Sequence, residues 1–258
     1  MKISSLIYNP WLFILDIHII AGHRGARAVA PENTLISMKA AADAGAKWIE
    51  TDTQLCEDLV PVIIHDKSVR RCTNGSGSVR HKTLQELKQL DAGSWFSPEF
   101  AGETIPTLHE LLAACDEYGL NLNLEIKVHY EEEVTLQVTK TIEVIKNYGF
   151  DPERLILSSF SYNAVNQCLE QWPEVRRGLI IEDWVPDIDR LDEKLKLYSI
   201  HLDHHLLNEK LAKEIIHAGK VLQIWTMNDP KKVAKFTRWG VSTIITDDPA
   251  LLISALND

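Results

Sequence analysis

The sequence predicts an α/β fold, a barrel of eight parallel strands with helices between them, and three observations carry that reading. Short apolar runs alternate with stretches of helical period through most of the chain, the pattern of repeated βα units and a parallel sheet. The length of 258 residues is close to the roughly 250 typical of an eight-stranded α/β barrel. Five short polar motifs fall at the ends of predicted strands, the rim on which such barrels gather their chemistry. They are His23-Arg24-Gly25, Pro31-Glu32-Asn33-Thr34, Glu50-x-Asp52, His65-Asp66 and Glu125-x-Lys127.

In chain order, the first strand is expected over residues 18–21, ahead of the His-Arg-Gly turn. A helix over 34–44 follows, and the second strand, 47–52, ends on Glu50-x-Asp52. Residues 60–64 form a short apolar run that leads into His65-Asp66. From 67 to 106 the rhythm breaks. Asn74-Gly75-Ser76-Gly77-Ser78 and residues 91–96 are loop-like, and only 84–90 has a helical period. That stretch is too long for an ordinary connection and is read as an insertion over the site-bearing face. The alternation then resumes with strands at 121–126, 155–158, 177–181, 199–202, 221–225 and 243–246. Helices are expected at 107–118, 132–148, 162–171, 208–217 and 230–239. Asn208 and Asp229 suit helix N-caps, the latter with Pro230 at the first helical position. Nine strands for eight barrel positions is one too many. Either a later segment is irregular, or the run at 60–64 follows the second strand without a crossover helix.

Composition bounds the function. With 45% hydrophobic and 25% charged residues, the chain is an ordinary globular protein with a full core. A formal charge of -10 argues against duplex nucleic acid, whose binding surfaces are basic, yet leaves room for a small anionic substrate beside local cations. Cys56, Cys72, Cys115 and Cys168 have no CxxC or zinc spacing, which favours reduced thiols and a cytoplasmic location. Residues 1–16 form an N-terminal extension that is apolar from 6 to 15 but interrupted by Asn9-Pro10. It is far short of the roughly 20 residues that span a bilayer. Packing on the domain is favoured for it over membrane contact or a signal.

Chemistry follows from spacing. Residues i and i+2 of a strand share a face, so Glu50 and Asp52 project together, and Glu125 and Lys127 repeat the arrangement. Three carboxylates without a thiolate make a hard oxygen site, suited to one divalent cation, Mg²⁺ or Ca²⁺. A bound cation and a phosphodiester would leave two negative charges, which Arg24 and Lys127 cancel, so both read as phosphate clamps. His23 and His65 suit a general acid and a general base. Phe160 and Trp225 end strands and fit either an apolar wall for a glyceryl group or core packing. The His201-x-Asp203-His204-His205 cluster reads as a polar strand-to-helix turn, because adjacent residues should diverge. Glu131-Glu132-Glu133 reads as a helix N-terminal turn.

These motifs, with Leu-Glu-Ile-Lys at 124–127, Ser-Phe at 159–160 and Trp-Thr-Met-Asn at 225–228, resemble the glycerophosphodiester phosphodiesterase family from about residue 18 to the C-terminus. The resemblance implies a TIM (β/α)8 barrel of the phosphodiesterase type over 17–258, with a small insertion at about 67–106, after the third strand. It implies Glu50, Asp52 and Glu125 as metal ligands and His23 and His65 as the acid-base pair. By the same resemblance Arg24 and Lys127 hold phosphate, and Phe160 and Trp225 touch the glycerol. The reaction implied is hydrolysis of a small glycerophosphodiester to glycerol 3-phosphate and an alcohol, as in the bacterial cytosolic members. A lysophospholipase D acting on membrane lysophospholipids is the alternative. Membrane contact is not favoured, and headgroup and oligomeric state stay open. Two departures stand out: Leu59 replaces a common Gly, and Gly240-Val241-Ser242-Thr243 replaces a usual Gly-Val-Asp-Gly run.

Overall fold

The computed structural model describes residues 20–183 and 188–257; the extension at 1–16 lies outside them. Eight parallel strands close into a barrel: β1 (Ile20–His23), β2 (Trp48–Leu55), β4 (Asn121–Ile126), β5 (Leu155–Ser159), β6 (Arg177–Ile181), β7 (Ser199–Asp203), β8 (Val221–Trp225) and β9 (Thr243–Thr246). They pair in sequence order, and β1 closes the ring by pairing with both β9 and β2. The ninth strand candidate is β3 (Pro61–Ile63), which folds back antiparallel on β2. No crossover helix separates the two, which resolves the surplus strand. The geometry explains why. β1 stops at His23, paired with Glu50, so the outer half of β2 has a free edge, and Thr53 to Leu55 offer it to β3.

Around the barrel run α1 (Leu35–Asp43), α3 (Leu108–Tyr118), α4 (Val134–Tyr148), α5 (Tyr162–Gln171), α6 (Ile188–Leu195), α7 (Glu209–His217), α8 (Val233–Arg238) and α9 (Pro249–Asn257). Thr34, Thr107 and Asn208 cap α1, α3 and α7 by accepting from backbone N–H groups three residues on. The core lies between strands and helices, with Ile49, Leu122, Leu124 and Leu157 of the strands against Leu108, Leu111, Leu112, Val138 and Ile145 of the helices. The opposite faces of the same strands point into the barrel and are polar: Glu50, Asp52, Asn123, Glu125, Ser158, His201 and Gln223 are all buried.

The long excursion between β3 and α3 holds one short helix, α2 (Leu84–Lys88), and two 3₁₀ turns. It has its own apolar cluster, in which Val69, Val79, Leu87 and Ile105 pack on Val62 and Ile64. Several elements differ from the sequence reading. Glu50 and Asp52 lie inside β2 rather than at its end, because the hairpin prolongs the strand to Leu55. His23 is the last residue of β1 rather than a turn residue. Glu131–Glu133 and Pro230–Lys232 are 3₁₀ turns leading into α4 and α8. Helices α6 and α9 were not expected.

Candidate active site

β1 delivers His23 to the rim, and the chain then turns sharply. Arg24 adopts φ 51 and Gly25 φ 85, so the Arg24 side chain swings back over the barrel mouth. A Cβ on Gly25 would lie 2.3 Å from Ser37 Oγ, which is why glycine occupies that position. Pro31 to Thr34 close the loop: the Asn33 N–H donates to the Arg24 carbonyl (3.0 Å), and Asn33 Nδ2 donates to Asp52 Oδ2 (2.9 Å).

β2 and β4 are in register with Asp52 beside Glu125, which sets three carboxylates on one wall. An oxygen from each of Glu50, Asp52 and Glu125 lies within 4.8 Å of the others, and all three residues are buried. The three do not share one tendency to ionise. Burial, then the charges of its two neighbours, pushes Glu50 well above the usual carboxylate range. Burial and Asp52 push Glu125 up likewise. Asp52 is held low despite its burial, because Arg24 and Lys127 outweigh that burial. Arg24 Nε lies 3.3 Å from Asp52 Oδ2, and Lys127 Nζ 2.7 Å from Glu125 Oε1. Glu50 has no such cation against it; its closest donor is the Arg24 N–H at 3.4 Å. A buried carboxylate left so poorly compensated, beside two more, fits a hard divalent cation with oxygen ligands.

Each histidine is backed by a carboxylate. His23 Nδ1 lies 2.6 Å from Asp247 Oδ1, and His65 Nδ1 lies 2.7 Å from Asp66 Oδ1. Since a carboxylate only accepts, each Nδ1 carries the hydrogen and each Nε2 is left free to face inward. His23 Nε2 is 3.8 Å from Glu50 Oε2. His65 Nε2 is 3.1 Å from Lys127 Nζ, whose ammonium donates to its lone pair. Burial lowers both histidines below their ordinary value, so both rest neutral.

These groups line one cavity of about 240 Å³, with Phe160 and Trp225 on its wall. The two rings meet edge to face at 5.5 Å, and Phe160 is 40% exposed; it borders the cavity instead of filling the core. All nine residues singled out from the sequence are therefore gathered in one place. Eight line the cavity directly, and Asp52, 1% exposed, sits behind them.

Sequence reasoning missed several neighbours. Asp247 follows β9 just as the other motifs follow their strands, and that position was its only signal. Asn228, noted only as part of the Trp-Thr-Met-Asn run, grips Asp247 through Nδ2 (2.8 Å) and accepts its N–H (2.9 Å). Arg71, Arg27 and Asn123 carry no local pattern, and His201 reads from sequence only as part of the turn that follows it. The 203–205 turn also differs from expectation. Ligand atoms of Asp203, His204 and His205 do converge, because Asp203 Oδ1 accepts from both the N–H and the ring of His205 at 2.8 Å. His201 points away into the barrel.

The model of the glycerophosphoryl diester phosphodiesterase family matches residues 23–251. The chain belongs to that family. A glycerophosphodiester phosphodiesterase of Caldanaerobacter subterraneus subsp. tengcongensis is 35% identical over 236 residues, 92% of this chain and 96% of that protein. An Oleispira antarctica phosphodiesterase, solved in complex with the product sn-glycerol-3-phosphate, superposes with a TM-score of 0.89 at 35% identity, covering 93% of this chain and 97% of that one. The Thermotoga maritima glycerophosphodiester phosphodiesterase gives 0.73 at 27% identity, over 92% and 97%. Family membership makes this chain a hydrolase on the TIM-barrel scaffold. Among its described residues no helix is long and apolar enough to cross a membrane.

Proposed function

We propose that this chain hydrolyses small glycerophosphodiesters to glycerol 3-phosphate and an alcohol, using one divalent cation, Mg²⁺ or Ca²⁺, and two histidines. The observation that carries the reading is the meeting, around one cavity, of two inward-facing histidine Nε2 edges, three buried carboxylates and two cations. Glu50, Asp52 and Glu125 would hold the cation, which supplies charge stabilisation to phosphoryl oxygens when bound.

Arg24 and Lys127 neutralise the phosphodiester and fix its orientation. His65 is the base: its Nε2 carries the lone pair, which Lys127 releases on turning to the phosphate, and it then takes the proton of the attacking water. His23 is the acid. It lies between Asp247 and Glu50, where a positive ring is better tolerated than beside Lys127; it takes up a second proton on Nε2 before turnover, gives that proton to the leaving oxygen as the phosphorus–oxygen bond breaks, and returns to the neutral form. Phe160 and Trp225 give the glyceryl group an apolar wall. The proposed compartment is the cytoplasm, where four cysteines, all free and buried, stay reduced.

The test is a coupled glycerol 3-phosphate assay on glycerophosphocholine, -ethanolamine, -glycerol and -inositol, with Mg²⁺, Ca²⁺ or chelator. Product release that depends on the metal is expected. No product from any substrate, or full activity after verified metal removal, overturns the reading. Detergent-dependent choline release from lysophosphatidylcholine would instead favour the lysophospholipase D alternative, whose apolar segment lies outside the described residues.

A further inference from the structure

Arg71 sits in the excursion between β3 and α3, six residues beyond His65 in sequence and without any catalytic pattern of its own. Its guanidinium nevertheless spans two carboxylates. Nη1 and Nη2 donate to the two oxygens of Glu32, both at 2.8 Å. Nε and Nη2 donate to the two oxygens of Asp66, at 2.7 and 2.9 Å. This double fork needs the planar arrangement of donors that arginine has and lysine lacks.

Both carboxylates continue to a group that faces the cavity. Glu32 Oε1 accepts from Arg24 Nη1 at 2.6 Å, and Asp66 Oδ1 takes the His65 Nδ1 hydrogen at 2.7 Å. One unbroken hydrogen-bonded chain therefore runs Arg24, Glu32, Arg71, Asp66, His65. We infer that Arg71 is a positioning residue, which locks the phosphate-binding arginine and the histidine at a fixed distance and orientation from each other. This rests on the phosphodiesterase reading of the same site.

The two ends would not respond equally to its loss. Glu32 is almost fully buried and keeps Arg24, with Arg27 3.6 Å away. The Asp66 side chain is 32% exposed, and among the described residues its carboxylate is held only by His65 and Arg71, so without Arg71 it can rotate into water and release the ring. The insertion gains a purpose from this. Val69, fully buried, and its N–H bond to the Gly77 carbonyl (3.1 Å) anchor the segment that carries Arg71.

The experiment has a catalytic and a non-catalytic arm. Arg71→Ala should lower kcat by about 10- to 100-fold, the usual cost of losing a partner that orients a functional side chain, with KM little changed because Arg24 and Lys127 remain. Arg71→Lys should recover little, and added guanidinium should restore part of the Arg71→Ala activity. In an Asp66→Asn background the same substitution should cost much less, since the two act through one chain. Independently of turnover, the His65 Nδ1 hydrogen should give an exchange-protected imidazole N–H resonance in the wild type that weakens in Arg71→Ala. Wild-type kcat in Arg71→Ala, full recovery by Arg71→Lys, or an unchanged resonance overturns the inference. An inactive wild type would sink the phosphodiesterase reading instead, and the resonance would still decide the role of Arg71.

Discussion

His201 should make this barrel acid-labile in a way that one substitution removes. The ring is 1% exposed and projects into the barrel opposite Gly178, where a Cβ would come within 2.5 Å of His201 Nε2. Ser158 Oγ donates to Asn123 Oδ1 (2.8 Å), so the Asn123 amide nitrogen faces His201 Nδ1 at 3.4 Å, and Nε2 donates to Ser199 Oγ at 2.8 Å. Both ring nitrogens are thus satisfied in the neutral form, and a second proton would meet an N–H group without a carboxylate to balance it. Burial pushes the pKa down from 6.5 to about 3. In the unfolded chain the ring protonates below its ordinary value, whereas the folded protein refuses the proton until about pH 3. Stability from this group is therefore complete above the unfolded pKa and is lost as pH falls, at about 1.4 kcal/mol per unit. Two units of acidification, to about pH 4.5, should cost about 2.7 kcal/mol. Urea unfolding of wild type and His201→Gln across that range isolates the term, because every other titrating group is common to both. The stability difference between them should move in favour of the variant by that amount. Parallel pH curves would refute the argument.

Three further outcomes are expected. Glu125→Gln should weaken Mg²⁺ or Ca²⁺ binding, read by calorimetric titration, by more than about 10-fold, with activity falling by orders of magnitude; wild-type affinity would exclude Glu125 from the cage. Asp247→Asn should lower kcat by about 10²-fold, because an amide can present its N–H to His23 Nδ1 and trap the wrong tautomer; unchanged kcat with folding intact would make Asp247 a bystander. Leu59, at φ 60 and 42% exposed, sits in a conformation that costs a side chain roughly 1–2 kcal/mol. Leu59→Gly should therefore raise the melting temperature by a few degrees, and a drop would show that Leu59 earns more by packing than it loses by strain.

The candidate site was legible because the signal was local. Period-2 spacing put Glu50 with Asp52 and Glu125 with Lys127, and the structure keeps both pairs on inward faces. The Gly normally expected at Leu59 was also visible as a departure, and the left-handed backbone found there explains it. What stayed hidden has other causes. The Pro61–Ile63 strand is too short to reveal that it pairs backwards. Helix α9 is apolar nearly throughout, so it shows no polar face from which to read a helical period. Asp247 reaches His23 across 224 residues and Arg71 reaches Glu32 across 39, and no spacing rule extends that far. Helix α6 was the avoidable miss, since Ile188, Leu191 and Leu195 recur at helical spacing.

Backbone strain marks where the fold gives up stability for the site. Among the described residues, left-handed φ values without glycine occur at Arg24, Asn33, Leu59 and Lys196, and two of these four flank the cavity. Such conformations persist where surrounding bonds over-determine them. At Arg24 they do: its carbonyl accepts from the Asn33 N–H (3.0 Å) and from Ser37 Oγ (2.9 Å), while its guanidinium is tied to Glu32. At Asn33 the side chain is fixed on Asp52. A relaxed backbone at Arg24 would point the side chain along the strand direction, away from the carboxylates of β2 and β4. The strained turn instead lays one cation across the mouth of the barrel, directly over the acidic cluster, and Lys127 supplies the second from the opposite motif. The distortion and the charge arrangement are one structural feature, and substituting either end of the Arg24–Glu32 pair would release both.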